Sequence, residues 1–285
     1  MVFLFMDNKS NQDRTVSILG CGWVGLPLAE NLAQTGCRVK GSTTSAEKMQ
    51  LLAAKNLEPF LIDIHRLEDD SHTFFKCQTL LVSVPPSLRK GVDGADYINA
   101  MGNAAAIAKK NGAGRVIMIS STGVYPDTNG EVTENTEASD SERSQTLYRA
   151  EQVWRKAFPE NHIILRSAGL MGGNRIPGRY FAGKTGLTTA HVPVNYIHRE
   201  DIVNILTALA TTWNLSSGTY NAVAPLHPKR KEVYLANAEK IGFDKPGFRD
   251  DSDEAYKVVN GDKLQQALGY SFVYPDPLSF SYDPA

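Results

Sequence analysis

The sequence is short of several things, and each shortage narrows what the chain can be. Cysteine is scarce: Cys21, Cys37 and Cys77 are the only three in 285 residues. They form no CxxC pair, and an odd, sparse set fits a reducing cytoplasm better than a disulfide-stapled secreted fold. The six histidines form no HxxxH pair and no Cys/His cluster, so no metal site is expected. An excess of either charge is missing too. Lys and Arg number 30 against 31 Asp and Glu, a net charge of −1, so neither a nucleic-acid partner nor a solvating acidic chain is expected. No run approaches the roughly 20 apolar residues that span a bilayer, and no membrane partner is expected. Residues 1–6 are apolar but too few for a signal core, and no basic flank precedes them. Residues 1–14 are expected to form a disordered leader.

What remains is ordinary globular material, 42% hydrophobic and 21% charged. The length suits about two domains, or one large α/β domain with an appendage. Short apolar runs alternate with helix-patterned segments. Strands are expected at 15–19, 38–40, 59–62, 79–84, 116–120 and 162–166. Helices are expected at 26–34, 46–55, 97–110 and 144–158. The strand runs do not alternate in polarity, as befits strands covered on both faces, and strand–helix alternation calls for a parallel sheet. The fold class is therefore α/β, a doubly wound Rossmann-type sheet over 15–166. The pattern loosens after Ser167. A smaller substrate-binding part over 167–285, with helices at 200–212 and 229–241 and a strand at 220–223, is expected to send segments back to the sheet.

The first strand runs into Gly20-Cys21-Gly22-Trp23-Val24-Gly25, which opens a helix. In this context GxGxxG has a physical meaning. The first glycine makes the tight turn, the second lets backbone approach a pyrophosphate, and the third lets helix and strand pack closely. Dinucleotide binding is the expectation. NAD sites usually carry an acid at the end of the second strand. Here stand Ser42, Thr43 and Thr44 instead, with Lys48 beyond, a set that favours the 2′-phosphate of NADP over NAD. Ser45 is a helix cap in the same stretch. Asp63, with Ile64 beside it, is placed to meet the adenine. Ser83-Val84-Pro85 ends a strand where such sheets seat ligands, so it is expected against the cofactor.

The 116–120 strand ends in Ser120-Ser121-Thr122-Gly123-Val124-Tyr125, and Tyr148 lies mid-helix four residues before Gln152. At these residues the chain resembles the extended short-chain dehydrogenase/reductases, the NAD-dependent epimerase/dehydratase family. SSTGVY is similar to the family's serine motif. IILRSAGLMGGNR from Ile163, VNYIHREDIVNIL from Val194, GTYNAVAP from Gly218 and KLQQALGY from Lys263 resemble its later segments in order. The glycine loop also resembles that of UDP-sugar 6-dehydrogenases, but only over ten residues, and no cysteine follows Cys77 to act as their nucleophile.

The resemblance implies a Ser, a Tyr and a Lys around a substrate oxygen. Ser121 carries over as the Ser and Tyr148 as the Tyr, both catalytic, while the Lys position falls on Gln152. A cation about 4 Å from a phenol at an effective dielectric near 20 is worth about 4 kcal/mol. Gln152 still offers a hydrogen bond to a nicotinamide ribose, but no charge. Tyr148 is then a donor or general acid rather than a base. The expected function is an NAD(P)-dependent oxidoreductase at a hydroxyl or carbonyl carbon of a small-molecule substrate. The alternative is a dinucleotide sensor with little turnover. A homodimer is compatible with either.

Overall fold

The computed structural model describes residues 14–67, 73–86, 93–213, 215–249, 251 and 253–283. Most of the expected leader lies outside that range. Its last residue, Arg14, is fixed: its guanidinium donates to the Thr211 carbonyl at 2.8 Å, and its own carbonyl accepts from the Arg38 amide.

In chain order the structure runs β1 (Thr15–Leu19), α1 (Gly25–Gln34), β2 (Arg38–Thr43), α2 (Ala46–Ala54), β3 (Glu58–Leu61), β4 (Thr79–Val82), α3 (Gly94–Lys110) and β5 (Arg115–Ser121). It continues with β6 (Gly130–Val132), α4 (Glu142–Ala157), β7 (His162–Ser167), β8 (Gly169–Met171), β9 (Tyr196–His198), α5 (Arg199–Thr211), β10 (Gly218–Ala222), α6 (Arg230–Ile241), β11 (Lys257–Val259) and α7 (Asp262–Leu268).

Seven strands form one parallel sheet in the order β10-β7-β5-β4-β1-β2-β3. This is the expected Rossmann-type doubly wound fold. Strand order reverses between β1 and β4, which opens a crevice at their carboxyl ends. One face of the sheet carries Leu28, Leu32, Leu52, Ile202, Leu206 and Leu209 of α1, α2 and α5 in a single apolar cluster. The other face carries Met101, Ala105, Ala150 and Trp154 of α3 and α4. Alternate residues of β5 serve the two layers, Ile117 one and Val116 and Met118 the other, as the two-residue repeat of a strand requires. The second half of the chain is no separate body: β10 completes the sheet and α5 covers it.

β2 runs three residues beyond its expected end, because Gly41, Ser42 and Thr43 pair with Pro59, Phe60 and Leu61. β6 with β11 and β8 with β9 form two small parallel ladders. At three residues each, these strands give no periodic signal.

The stretch His198-Arg199-Glu200-Asp201 starts α5, as acids in a first turn do. It also clamps the end of the chain. Asp201 is fully buried and accepts from the Tyr270 hydroxyl at 2.7 Å and from the Val273 and Tyr274 amides. His198 Nδ1 accepts from the Glu200 amide, and its Nε2 stands 3.0 Å from the Ser281 carbonyl. Burial holds the His198 and His227 imidazoles below the ordinary 6.5, against the smaller opposing effect of their carbonyl partners. A histidine with a depressed folded pKa leaves the unfolded chain binding more protons, so stability rises with pH across the gap. Their contribution is whole above about 6.5 and is lost as pH falls through the lower folded values. Urea unfolding followed at pH 7.5 and 5.5 is expected to give the lower midpoint at 5.5; equal midpoints would mean neither ring stays neutral in the fold.

Candidate functional site

The glycine loop lies over the reversal point. Gly20 adopts φ +99°, a left-handed backbone that favours glycine. A Cβ there would also press on the Ser83 carbonyl oxygen and Val84 Cγ2 at 3.0 and 3.1 Å. A Cβ on Gly25 would collide with the Gly20 carbonyl oxygen. Gly22 differs: it is exposed, and nothing lies within 4 Å of where its Cβ would stand. Two of the glycines therefore shape the loop, and the middle one leaves room over it. No side chain caps α1 and no acid stands in its first turn, so its partial positive end stays available to an anion. On these observations the residues fit a pyrophosphate. Val24 is buried in the core below, and Trp23 is half-exposed at the rim.

Ser83 and Val84, expected against the cofactor, flank this loop. The Ser83 amide donates to the Leu19 carbonyl at 2.9 Å, and the Tyr97 hydroxyl holds the Val84 carbonyl at 2.8 Å.

Two of the hydroxyls assigned to a 2′-phosphate have other work. Ser42 is buried, and its Oγ accepts from the Gly20 amide at 2.8 Å, so it braces the glycine loop. Thr43 is buried and its Oγ1 accepts from the Ser45 amide. Thr44 and Lys48 are exposed at this corner and remain available. Asp63 caps the following turn through Oδ1, which accepts from the His65 amide at 3.0 Å, yet it stays exposed. The Ile64 side chain is buried in the core, so only its backbone can meet a base.

Among the described residues no hydrogen bond joins the expected Ser–Tyr pair, Ser121 and Tyr148. Ser121 closes β5 and its Oγ accepts from the Gly123 amide at 3.0 Å. The part of α4 that meets this turn is Ser144, whose hydroxyl donates to the Gly123 carbonyl at 2.9 Å, and Leu147, whose Cδ1 lies 3.9 Å from a Cβ on Gly123. One turn on, Glu151 is anchored under β5 and β7, taking the Ser120 hydroxyl at 2.6 Å and the Arg166 guanidinium at 2.8 Å. Those anchors fix the rotation of the helix. Tyr148 stands about 100° around from Leu147, and with Gln152 it lines a cavity of about 570 Å³ with Arg155, Thr219 and Lys263, beside the edge strand β10. Neither Ser121 nor the glycine loop borders that cavity. A second cavity of about 340 Å³ begins where Ser121 ends, between Thr122, Gly123, Asp127, Asn195, Tyr196 and Arg230.

The sequence gives no sign of one feature of the crevice. Arg175 and Arg199 stack on the Trp23 ring at 4.1 and 5.0 Å, and the indole N–H donates to Asn174 at 3.1 Å. Two cations thus stand beside the glycine loop. Among the described residues no cluster of His, Cys, Asp and Glu is arranged to hold a metal, and no helix is long and apolar enough to cross a membrane.

The NAD(P)H-binding family matches residues 20–212. Protein YeeZ of Escherichia coli (strain K12) is 32% identical over 274 residues, covering 93% of this chain and 98% of YeeZ. Among solved structures, the ADP-L-glycero-D-manno-heptose-6-epimerase of Helicobacter pylori superposes with a TM-score of 0.76 at 17% identity, covering 96% of this chain and 95% of that one. The UDP-glucuronic acid 4-epimerase of Bacillus cereus, in complex with NAD, gives 0.75 at 17%, covering 95% and 98%. At such identities the likeness is one of fold, that of the NAD-dependent epimerase/dehydratase proteins.

Proposed function

The chain belongs to the NAD(P)H-binding family, and from that premise we propose that it takes NADP(H) over the glycine loop as a dinucleotide-binding protein, without the Tyr-based chemistry its resemblance implies. One observation carries this reading: α4 turns Ser144 and Leu147 toward the Ser121 turn, while Tyr148 and Gln152 look into another cavity. Leucine neither gives nor takes a proton, so the helix supplies no acid or base beside the crevice.

Gly22 and the start of α1 hold the pyrophosphate in this reading, with Arg175 and Arg199 adding charge beside it. Thr44 and Lys48 take the 2′-phosphate, Asp63 meets the adenine amino group, and Ser83-Val84-Pro85 walls the crevice. The protein works in the cytoplasm, away from membrane and nucleic acid, and a homodimer is compatible with it.

The 340 Å³ cavity favours a second reading, an oxidoreductase acting on a hydroxyl or carbonyl of a small molecule. Its polar lining begins one residue after Ser121. Bound NADPH would supply the hydride, and Ser121 would polarise the oxygen.

Calorimetry tests the cofactor first. NADPH is expected to bind more tightly than NADH, and Lys48→Ala is expected to narrow the gap by about 1 kcal/mol or more, as loss of a hydrogen bond to a charged group does. Tighter NADH binding would overturn the preference. A panel of aldehydes and keto-sugars with NADPH then separates the readings. No oxidation supports a binding protein, and turnover that survives in Tyr148→Phe supports the oxidoreductase. Turnover lost in that variant would restore Tyr148 to the reaction and sink the placement argued here.

A further inference from the structure

The 570 Å³ cavity is not bordered by the glycine loop, and it is built from charged and hydrogen-bonding groups. Its position follows from the layers. α4 covers β5 and β7, and beside it lies Thr219 of the edge strand β10 at the cavity wall. Four residues of α4, Gln145, Tyr148, Gln152 and Arg155, stand at helical spacing along one wall. Arg166 rises from β7 and Lys263 from the first turn of α7, while Glu134 and Glu137 lie on the loop that closes the other side.

Two donors here lack acceptors among the described residues. Arg166 is 3% exposed. Its Nε and Nη2 engage Glu151 and its guanidinium carbon stands 4.9 Å over the Tyr125 ring, while its Nη1 has no hydrogen-bond partner. Arg155 gives Nη2 to the Thr219 hydroxyl and stands 4.0 Å from Glu151, while its buried Nε is likewise without a partner. A buried guanidinium N–H left unpaired costs free energy that a hydrogen-bond acceptor recovers. Lys263, held by the Thr219 carbonyl at 2.8 Å, adds a third cation. One carboxylate opposite is partly engaged already, since Glu134 Oε1 accepts from the Asn221 amide at 2.8 Å.

We propose that this cavity is a second ligand site, which binds a small oxyanion, a carboxylate or a phosphate monoanion, between Arg155, Arg166 and Lys263, with the Tyr148 hydroxyl and the Gln152 amide as further partners. Planar guanidinium forks suit carboxylate and phosphate oxygens, and charge-assisted bonds to them are the strong ones. Glu134, Glu137 and the buried Glu151 balance the three cations one for one, leaving no surplus charge to hold a multiply charged ligand. The site therefore takes a singly charged group and rejects a polyanion such as a nucleotide tail.

Lactate and inorganic phosphate, at a mildly acidic pH where each carries one charge, are the probes, with neutral glycerol as control, titrated calorimetrically into the whole protein at low salt. At least one of the two anions is expected to bind with Kd at or below about 1 mM, and glycerol not at all. Lactate alone assigns a carboxylate ligand and phosphate alone a phosphorylated one. Arg155→Gln and Lys263→Gln, on separate elements, are each expected to weaken that binding about tenfold, as loss of one charge-assisted hydrogen bond does, with NADPH affinity unchanged. No heat from either anion, or binding indifferent to both substitutions, overturns the proposal; ordered water alone then satisfies the two guanidinium groups. Because NADPH is titrated separately, failure here leaves the cofactor reading standing, and the reverse also holds.

Discussion

Gly22→Asp is expected to abolish NADPH binding while leaving the protein folded. The position is exposed and its backbone is not left-handed. An added Cβ meets nothing within 4 Å. The substitution therefore costs little in stability, within about 0.5 kcal/mol as for other surface changes away from special features. It does set a carboxylate where the pyrophosphate must lie, at the positive end of α1. Two like charges about 4 Å apart at an effective dielectric near 20 repel by about 4 kcal/mol, about a thousandfold in affinity. Calorimetry with NADPH measures the loss, and urea unfolding checks the fold. Retained affinity would mean that the dinucleotide does not bind over this loop. Gly25→Ala separates the roles of the glycines, because its Cβ runs into the Gly20 carbonyl oxygen and is expected to destabilise the fold itself.

Glu151→Gln is expected to cost about 3–5 kcal/mol of stability, the range for breaking a buried ion pair by removing one partner. Glu151 is fully buried, takes three guanidinium bonds from Arg166 between 2.8 and 3.3 Å, and accepts the Ser120 hydroxyl. The neutral amide keeps the volume and leaves the Arg166 charge buried without its counter-ion. Removing both charges at once, with Glu151→Leu and Arg166→Met, is expected to recover most of the loss, since an apolar pair of similar volume escapes the desolvation cost of two ions. Chemical denaturation of the two variants beside the original protein measures it. A Glu151→Gln protein as stable as the original would show that the pair does not hold α4 against β5 and β7, and the rotation assigned to that helix would lose its cause.

That rotation marks where sequence reasoning stops. Spacing of four residues puts Tyr148 and Gln152 on one face of a helix, and they do share one. Which way the face points is set elsewhere, by Glu151 meeting Arg166 and Ser120 and by Ser144 meeting Gly123, partners 15 to 31 residues distant. The hydroxyls of Ser42 and Thr43 are engaged elsewhere for a similar reason. Their spacing shows a polar corner, but the Gly20 amide that Ser42 braces comes from the neighbouring strand. The pairing of Trp23 with Arg175 and Arg199 spans over 150 residues, and no local pattern announces it.

The sequence by itself determined the parallel sheet and the glycine loop. Both rest on short-range constraints: strand runs whose polarity does not alternate, a left-handed turn at Gly20, and a helix start that tolerates no side chain at Gly25. Tertiary structure alone decided which groups stand in the crevice and which in the cavity beside β10. Those assignments depend on how each element is rotated against its neighbours, and that rotation is fixed by buried polar contacts between residues far apart in the chain.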